Sequence, residues 1–414
     1  MDALAIVVPV YNGAADVERC LGSLARHRPA RSTIVLVDDA SSDPAIAPML
    51  EAFAGANPGV RVISAKENRG FVKSANAGAA AAPGGADILF LNTDTEVTEG
   101  WAEEMIDALA RHPSAVVCCP FSNNATYLSL PKYQQENELP FGWSAQRMAT
   151  LVRECAGELR VVQGPTPVGF CMLVRRTAWQ TWGPFDEAYG LGYGEDDDFG
   201  QRVQAAGGAI VCAPRAFVYH RGGASFAATP QLAERRRVNG ALLESKWPGY
   251  FARTKAWCQD NPLRPLHERI WQALLAPATP APVHVLHVIE RWELAGPLRA
   301  QMLETVQATR DFALHTILVP MPDRGAWLDA IDFEFEPGMR VVGLIDFERS
   351  FAKFLAASPA NLVHFRGPED WVPDALIEMA RKERAVLVSP GEVADVARCA
   401  QAYRRVAEVA REGG

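Results

Sequence analysis

Three short apolar runs in the first 95 residues each stop at polar side chains. Leu4 to Val10 stops at Tyr11-Asn12-Gly13, Thr33 to Val37 at Asp38-Asp39, and Ile88 to Leu91 at Asn92-Thr93-Asp94. A carboxylate that follows a strand can accept a hydrogen bond from a base N–H or a ribose hydroxyl, and its hard oxygens suit magnesium or manganese. The same group can also simply close a turn, and Ser41, Ser42 and Asp43 fit an Asx-type helix cap. Farther on, Glu195 to Asp198 is a run of four acids. It can supply a general base, or it can open a helix, where negative charge favours the positive dipole end. His220 follows an apolar run and reads either as a structural residue or as a ligand.

The elements around these groups fit that placement. Val17, Cys20, Leu21 and Leu24 recur at helical spacing between the first two runs, which makes a β-α-β unit. In open α/β sheets ligands bind beyond the carboxyl ends of strands, where the polar residues stand. After Trp101 the pattern is less regular, and Pro131, Pro140, Pro165 and Pro167 punctuate a segment read as loops and short elements that form a binding rim. A helix over Asp198–Ala206, a strand over Ala209–Cys212 and a basic helix over Leu232–Trp247 close this half. Residues 276–282, APATPAP, read as a linker. Beyond it come strands at Val283–Ile289 and Ala313–Val319 with a helix at Pro297–Thr309 between them. Shorter strands follow at Val341–Ile345, Leu362–Phe365 and Ala385–Val388.

A chain of 414 residues exceeds one ordinary core, so two α/β domains are expected. A net charge of −8 argues against nucleic acid as a partner. The eight cysteines show no paired CxxC pattern and lie largely in apolar runs, as reduced core thiols of a cytoplasmic protein do. No stretch approaches the roughly 18 uncharged apolar residues of a membrane span, and the amino terminus lacks the basic and apolar regions of a signal peptide. Any membrane contact is then peripheral, at the inner face. A homo-oligomer stays open.

Seven segments together resemble the inverting family-two glycosyltransferases of the GT-A fold, in particular the bacterial rhamnosyltransferase-like branch. They are VVPVYN (7–12), VDDASSD (37–43), NRGFVKSANAG (68–78), FLNTDTEV (90–97), GPFDE (183–187), GEDDDFGQR (194–202) and HRGGAS (220–225). Each alone is weak, but their common order is specific. The resemblance implies a Rossmann-like nucleotide-sugar-binding domain over residues 1–255, a connecting segment over 256–282 and a smaller, incomplete Rossmann-like α/β domain over 283–414. The latter faintly resembles the amino-terminal half of a GT-B glycosyltransferase, with a reduced turn at Ala295-Gly296-Pro297. It would serve docking, dimerisation or acceptor positioning.

The implied reaction is transfer of a sugar from a nucleotide-diphosphate donor, UDP or dTDP, to a glycan or lipid-linked acceptor in cell-surface polysaccharide assembly. A divalent manganese or magnesium ion would stabilise the leaving diphosphate. Asn92-Thr93-Asp94 occupies the place of the family's DXD motif, with Asn92 replacing the first carboxylate, so Asp94 is the metal ligand, joined by His220, and Glu96 is a further candidate. Pro9, Val10 and Tyr11 would line the base pocket, Asp38 and Asp39 would take the base and ribose, and Arg69 and Lys73 the base or phosphates. Gly70 and Gly78 would let backbone approach the ligand. Asp196 is the implied base, with Glu195 beside it, while Asp198 reads as helix start paired with Arg202. Trp182, Phe185 and Asp186 would lie on the acceptor side. A binding or scaffold protein without turnover is the alternative. A Rossmann dehydrogenase ranks low because VPVYNG stands where its GxGxxG would be.

Overall fold

The computed structural model describes residues 4–131, 133–139, 143–222, 230–275, 283–289, 297–309, 311–320, 330–336, 339–344, 351, 355, 360, 362–366, 374–382, 386–388, 399–401 and 403–406. The chain divides into two compact units, one made of residues 1–139 and 143–270, the other of 140–142 and 271–414.

The first unit runs β1 (Leu4–Val10), α1 (Ala14–His27), β2 (Ser32–Asp38), α2 (Ile46–Ala56), β3 (Val60–Ser64), α3 (Phe71–Ala81), β4 (Asp87–Leu91), β5 (Thr95–Glu96), α4 (Trp101–Arg111), β6 (Ala115–Phe121), α5 (Ala145–Ala156), β7 (Val162–Gln163), β8 (Cys171–Val174), α6 (Arg176–Trp182), α7 (Glu195–Ala205), β9 (Ala209–Phe217), β10 (Tyr219–His220), α8 (Pro230–Lys246), α9 (Tyr250–Asp260) and, up to Ile270, α10 (Arg264–Leu275). Its main sheet has the order β3-β2-β1-β4-β8-β6-β9-β7. The first four strands are parallel, and β8 is antiparallel to both β4 and β6. β1 is buried along its whole length, as its unbroken apolar run requires of a central parallel strand. The chain goes from β1 outward to β3 and then returns to the other side of β1 as β4. The switch point thus lies between Val10 and Leu91, at the carboxyl ends of these strands.

Two structural devices hold this end together. Gly78 packs α3 against the sheet so closely that a Cβ there would fall 2.3 Å from Val7 Cγ1. Its role is helix–sheet packing, and ligand approach through Gly78 is ruled out by that burial. Phe90 on β4, Trp179 on α6, Phe185 and Phe199 on α7 form an aromatic cluster with centroids 4.9–5.8 Å apart. This ties the acid-rich helix to the strand that leads into Asp94.

Several boundaries differ from expectation. α7 starts at Glu195 instead of Asp198, since all four acids of the run occupy its first turn. β9 continues from Cys212 to Phe217. The proline-punctuated segment holds a 12-residue helix, α5, capped by Ser144, whose hydroxyl accepts the Arg147 amide. Residues 256–270 pack within the first unit: Trp257 meets Tyr127 edge-on at 5.0 Å, and Leu263 and Leu266 are buried. The 276–282 linker, Ala295-Gly296, Ile345 and Ala385 lie outside the described residues.

The second unit contains β11 (Val283–Ile289), α11 (Pro297–Thr309), β12 (Ala313–Pro320), β13 (Ala330–Glu336), β14 (Met339–Leu344), β15 (Leu362–Arg366), α12 (Asp374–Lys382) and β16 (Val386–Val388). Its sheet has the order β13-β14-β12-β11-β15-β16, and all neighbours are parallel except β13 with β14. His287 and His364 are buried strand residues. His287 Nε2 lies 2.9 Å from His315 Nδ1, and His364 Nδ1 lies 2.7 Å from the Tyr403 hydroxyl. All eight cysteines are free thiols. Among the described residues no helix is long and apolar enough to cross a membrane.

Candidate active site

The loops after β1 and β2 are laced together by Asn12. Its Oδ1 accepts the amides of Ser42 and Asp43, both at 2.9 Å, and its own amide donates to Ser41 Oγ at 2.9 Å. Asp39 is buried, and its two oxygens accept the amides of Arg69 (2.9 Å) and Gly70 (2.7 Å). Its primary job is therefore to pin the NRG loop to the sheet. Asp38 accepts the Ser41 amide on Oδ1 at 3.0 Å. Pro9 and Val10 are buried in the sheet and offer no side chain to a ligand, whereas Tyr11 is 53% exposed. The side chains of Arg69 and Lys73 are exposed; Lys73 faces Glu187 at 3.9 Å. Gly70 has φ +86°, and a Cβ on it would lie 2.4 Å from Leu191 Cδ2, so this glycine admits the 190–194 loop, a protein neighbour in place of the expected ligand. Asn76 sits inside α3, donating to Phe185 O at 3.0 Å and accepting the Phe185 amide at 2.9 Å.

Asp94 and His220 meet across the small sheet formed by β5 and β10. His220 Nε2 is 3.2 Å from Asp94 Oδ2, and its Nδ1 is 2.6 Å from the Asn124 carbonyl oxygen. A carbonyl only accepts, so Nδ1 carries hydrogen. In the neutral ring Nε2 then presents a lone pair to a carboxylate, and such a pair of acceptors calls for a proton or a cation between them. Burial pulls the His220 pKa down, but the Asp94 carboxylate and the Asn124 carbonyl outweigh it and hold the imidazole above its usual value. Asn123 fixes the strand, accepting the His220 amide and donating to the His220 carbonyl, both at 2.9 Å. Asn92 also has a buried Oδ1 without a hydrogen-bond partner. Glu96 turns to Arg26 at 4.0 Å, away from its expected part as a ligand. Among the described residues no three His, Cys, Asp or Glu side chains cluster as a self-sufficient metal site.

The acid run divides by role. Asp198 is fully buried and bound to Arg202 Nε (3.1 Å), Trp247 Nε1 (2.9 Å) and Lys246 Nζ (2.5 Å). Asp197 accepts the hydroxyls of Thr166 and Tyr250, both at 2.6 Å. Asp196 accepts the Gly169 amide at 2.8 Å and the Asp197 amide at 3.0 Å, and it stays partly exposed. Glu195 is buried with Oε2 unpartnered. Burial first, and the neighbouring carboxylates second, push Asp196 well above the usual carboxylate range, and burial with the Asp197 charge pushes Glu195 to about 7. Phe185 belongs to the aromatic core and not to an open acceptor face, and Asp186 caps the turn at Glu187–Tyr189 while pairing with Lys246 at 2.9 Å. Trp182 receives Arg202 Nη1 on its carbonyl oxygen.

One dipeptide joins the two halves of the site. Gly169 binds Asp196, and the adjacent Phe170 stacks on the His220 ring at 4.8 Å and accepts the Asn92 amide on its carbonyl at 2.8 Å. The acid pair and the Asp94–His220 pair therefore flank the same two residues. The sequence pattern passed over Asn123, Asn124, Gly169 and Phe170. Ser122-Asn123-Asn124 does follow an apolar strand, the same signal that marked the other three strand ends.

Residues 5–179 match the family model for glycosyl transferase family 2. This part of the chain belongs to that family. The unit has the mixed α/β, Rossmann-like GT-A fold, and the protein is a glycosyltransferase. An N-acetylglucosaminyl-diphospho-decaprenol L-rhamnosyltransferase of Mycobacterium tuberculosis is 27% identical over 282 residues, covering 62% of this chain and 89% of the relative. Polypeptide N-acetylgalactosaminyltransferase 4 of Mus musculus is 26% identical over 52% of this chain, which spans only 39% of that protein. Among solved structures, a mannosyltransferase from Pyrobaculum calidifontis in complex with GDP-Man and Mn2+ is similar at 16% identity and TM-score 0.44, covering 67% of this chain and 76% of that one.

Proposed function

We propose that the first unit is an inverting glycosyltransferase that moves a sugar from a nucleotide-diphosphate donor to a diphosphate-linked, lipid-carried acceptor in cell-surface polysaccharide assembly. The observation that carries this reading is the opposed pair Asp94 Oδ2 and His220 Nε2, 3.2 Å apart at the switch point of the sheet. Two such ligands fit a hard divalent ion that takes its remaining oxygens from substrate phosphates and water. Bound there, the ion would offset the charge that builds on the leaving diphosphate. Tyr11 offers an exposed ring to a base, Asp38 an oxygen, and Arg69 a cation. The relationship to the mycobacterial rhamnosyltransferase supports an acceptor linked through a diphosphate.

Single displacement needs a base opposite the leaving group. Asp196 has the better access of the two acids, and two backbone amides hold its carboxylate in orientation. Its raised pKa makes it a stronger base than an ordinary carboxylate. Glu195 would orient the acceptor. The second unit is assigned no donor and would position the acceptor or a partner.

The test is a thermal-shift series with UDP-, dTDP- and GDP-sugars, with and without manganese. A ligand that binds only the native state raises the melting temperature by mass action. One nucleotide series should stabilise the protein, and Asp94→Ala should remove the manganese-dependent part. Equal stabilisation of that variant in excess EDTA would overturn the metal assignment. Stabilisation without transfer to any diphosphate-linked acceptor would favour the alternative, a binding protein without turnover.

A further inference from the structure

Helix α8 carries Arg235, Arg236 and Arg237 in succession, and they do not share one environment. Arg237 is bound by Glu234 through two contacts of 2.6–2.8 Å. Arg235 and Arg236 have no carboxylate partner among the described residues. They stand three and four residues after buried Leu232 and four and three before buried Asn239, so they lie on the stripe by which α8 faces the protein. At this turn the stripe opens beside the loop that leads into Glu195. Asn239 Nδ2 donates to the carbonyls of Tyr189 (3.0 Å) and Gly192 (2.9 Å), locking helix and loop together. The Arg236 guanidinium lies 4.8 Å from the Tyr193 ring centroid.

Tyr193 itself has φ +74°, between Gly192 and Gly194, which also have positive φ. A bulky residue in that region is strained and persists only where its surroundings fix it. Here the strained residue is two positions from Glu195 and three from Asp196. Of the five exposed large apolar side chains of the described residues, two occur on these elements and a third on α9. Leu191 (42%) is in the loop, Val238 (48%) on α8, and Phe251 (50%) packs near Gly240 of α8. Two guanidiniums with no carboxylate partner among the described residues, on the helix that Asn239 locks to the loop before Glu195, suit a molecule with a phosphate group, and exposed apolar side chains beside them suit a hydrocarbon tail.

We infer that Arg235 and Arg236 bind the diphosphate of the lipid-carried acceptor, with Leu191 and Phe251 taking the first part of its prenyl chain. This rests on the glycosyl-transfer reading above and adds the residues that select the acceptor. Arginine supplies paired N–H donors to phosphate oxygens, and two charge-assisted contacts account for a preference on the order of 100-fold for a diphosphate over the corresponding alcohol.

The experiment uses the full chain in detergent with geranylgeranyl diphosphate and geranylgeraniol as probes, with binding measured by calorimetry. The wild type should prefer the diphosphate, Arg235→Gln/Arg236→Gln should lose the preference, and the double lysine variant should recover part of it. Arg237→Gln, whose arginine is already paired, should behave as wild type. Equal binding of the two probes by the wild type, or an intact preference in the double glutamine variant, overturns the inference. So does loss of binding to phosphatidylglycerol vesicles with the diphosphate preference intact, because the arginines would then read a membrane surface. Nucleotide-dependent melting shifts measured on the same proteins keep the two readings apart. Their absence in the wild type sinks the glycosyl-transfer reading, whereas normal shifts with unchanged probe binding sink only this one.

Discussion

Nε2 of His220 faces Oδ2 of Asp94 at 3.2 Å while its Nδ1 is committed to the Asn124 carbonyl, so the ring can turn in neither direction without losing a partner. Its plane is further held by Phe170, stacked at 4.8 Å with 16° between the rings. The pair is thus pre-oriented by Asn124 and Phe170, and its strand by Asn123.

Asn123 is the first of these to test. It bridges both backbone polar groups of His220 and also donates to the Asn137 carbonyl at 2.8 Å. Asn123→Ala should lower manganese affinity, measured by titration in the presence of nucleotide, by about 10–100-fold, as loss of a ligand-orienting partner does. An unchanged manganese midpoint would mean that β10 is held by other contacts.

The pH dependence of stability follows from Glu195. Its pKa is raised by burial from 4.5 to about 7, so the native state favours the protonated acid. The contribution is fully present below about pH 4.5 and is lost as pH rises through 7. The melting temperature should fall across that window, and Glu195→Gln should flatten the fall. A variant with an undiminished slope would assign the effect to Asp196 and Asp197.

Parts of this site were readable from residue order because their determinants are local. Apolar runs ending at Asp38-Asp39 and at Asn92-Asp94 specify buried parallel strands and a polar strand end, and β1, β11 and α11 fall where their spacing places them. The i,i+4 pair of Asp198 and Arg202 is likewise local. What was not readable depends on long-range packing. Whether Gly70 and Gly78 meet a ligand or protein is decided by Leu191 and Val7, 121 and 71 positions away. Phe185 looked like an acceptor contact until the fold brought Phe90, Trp179 and Phe199 around it. Glu96 looked like a ligand until the fold set it beside Arg26, 70 positions away.

Asp198 should matter to stability more than to chemistry. Its buried carboxylate joins Arg202, Lys246 and Trp247, linking α7 to the end of α8. Asp198→Asn leaves both cations short of a partner. Since both are partly exposed, water recovers some of the loss, and the expected cost is about 2–4 kcal/mol. Urea unfolding of the variant measures it. A change below about 0.5 kcal/mol, the usual range for surface substitutions, would show that the network is dispensable.

The division of labour between Asp196 and Glu195 is decided by turnover. Neighbours on a helix diverge by about 100°, so the two carboxylates at the start of α7 cannot both address one acceptor hydroxyl. Asp196 is the partly exposed one, and Gly169 ties it to the dipeptide that also supports His220. Glu195 is buried beside Gly192 and Tyr193, where it can steady the strained loop. A base acts as the acceptor oxygen attacks, so its loss should lower kcat with little change in donor affinity. Asp196→Asn should therefore bind nucleotide normally and lose on the order of 100-fold or more in transfer. Glu195→Gln should lose less, with its main effect on the acceptor KM, because it keeps the shape of the side chain and removes only its charge. A dead Glu195 variant beside a near-normal Asp196 variant would exchange the two roles. Normal turnover in both would take this helix out of the reaction.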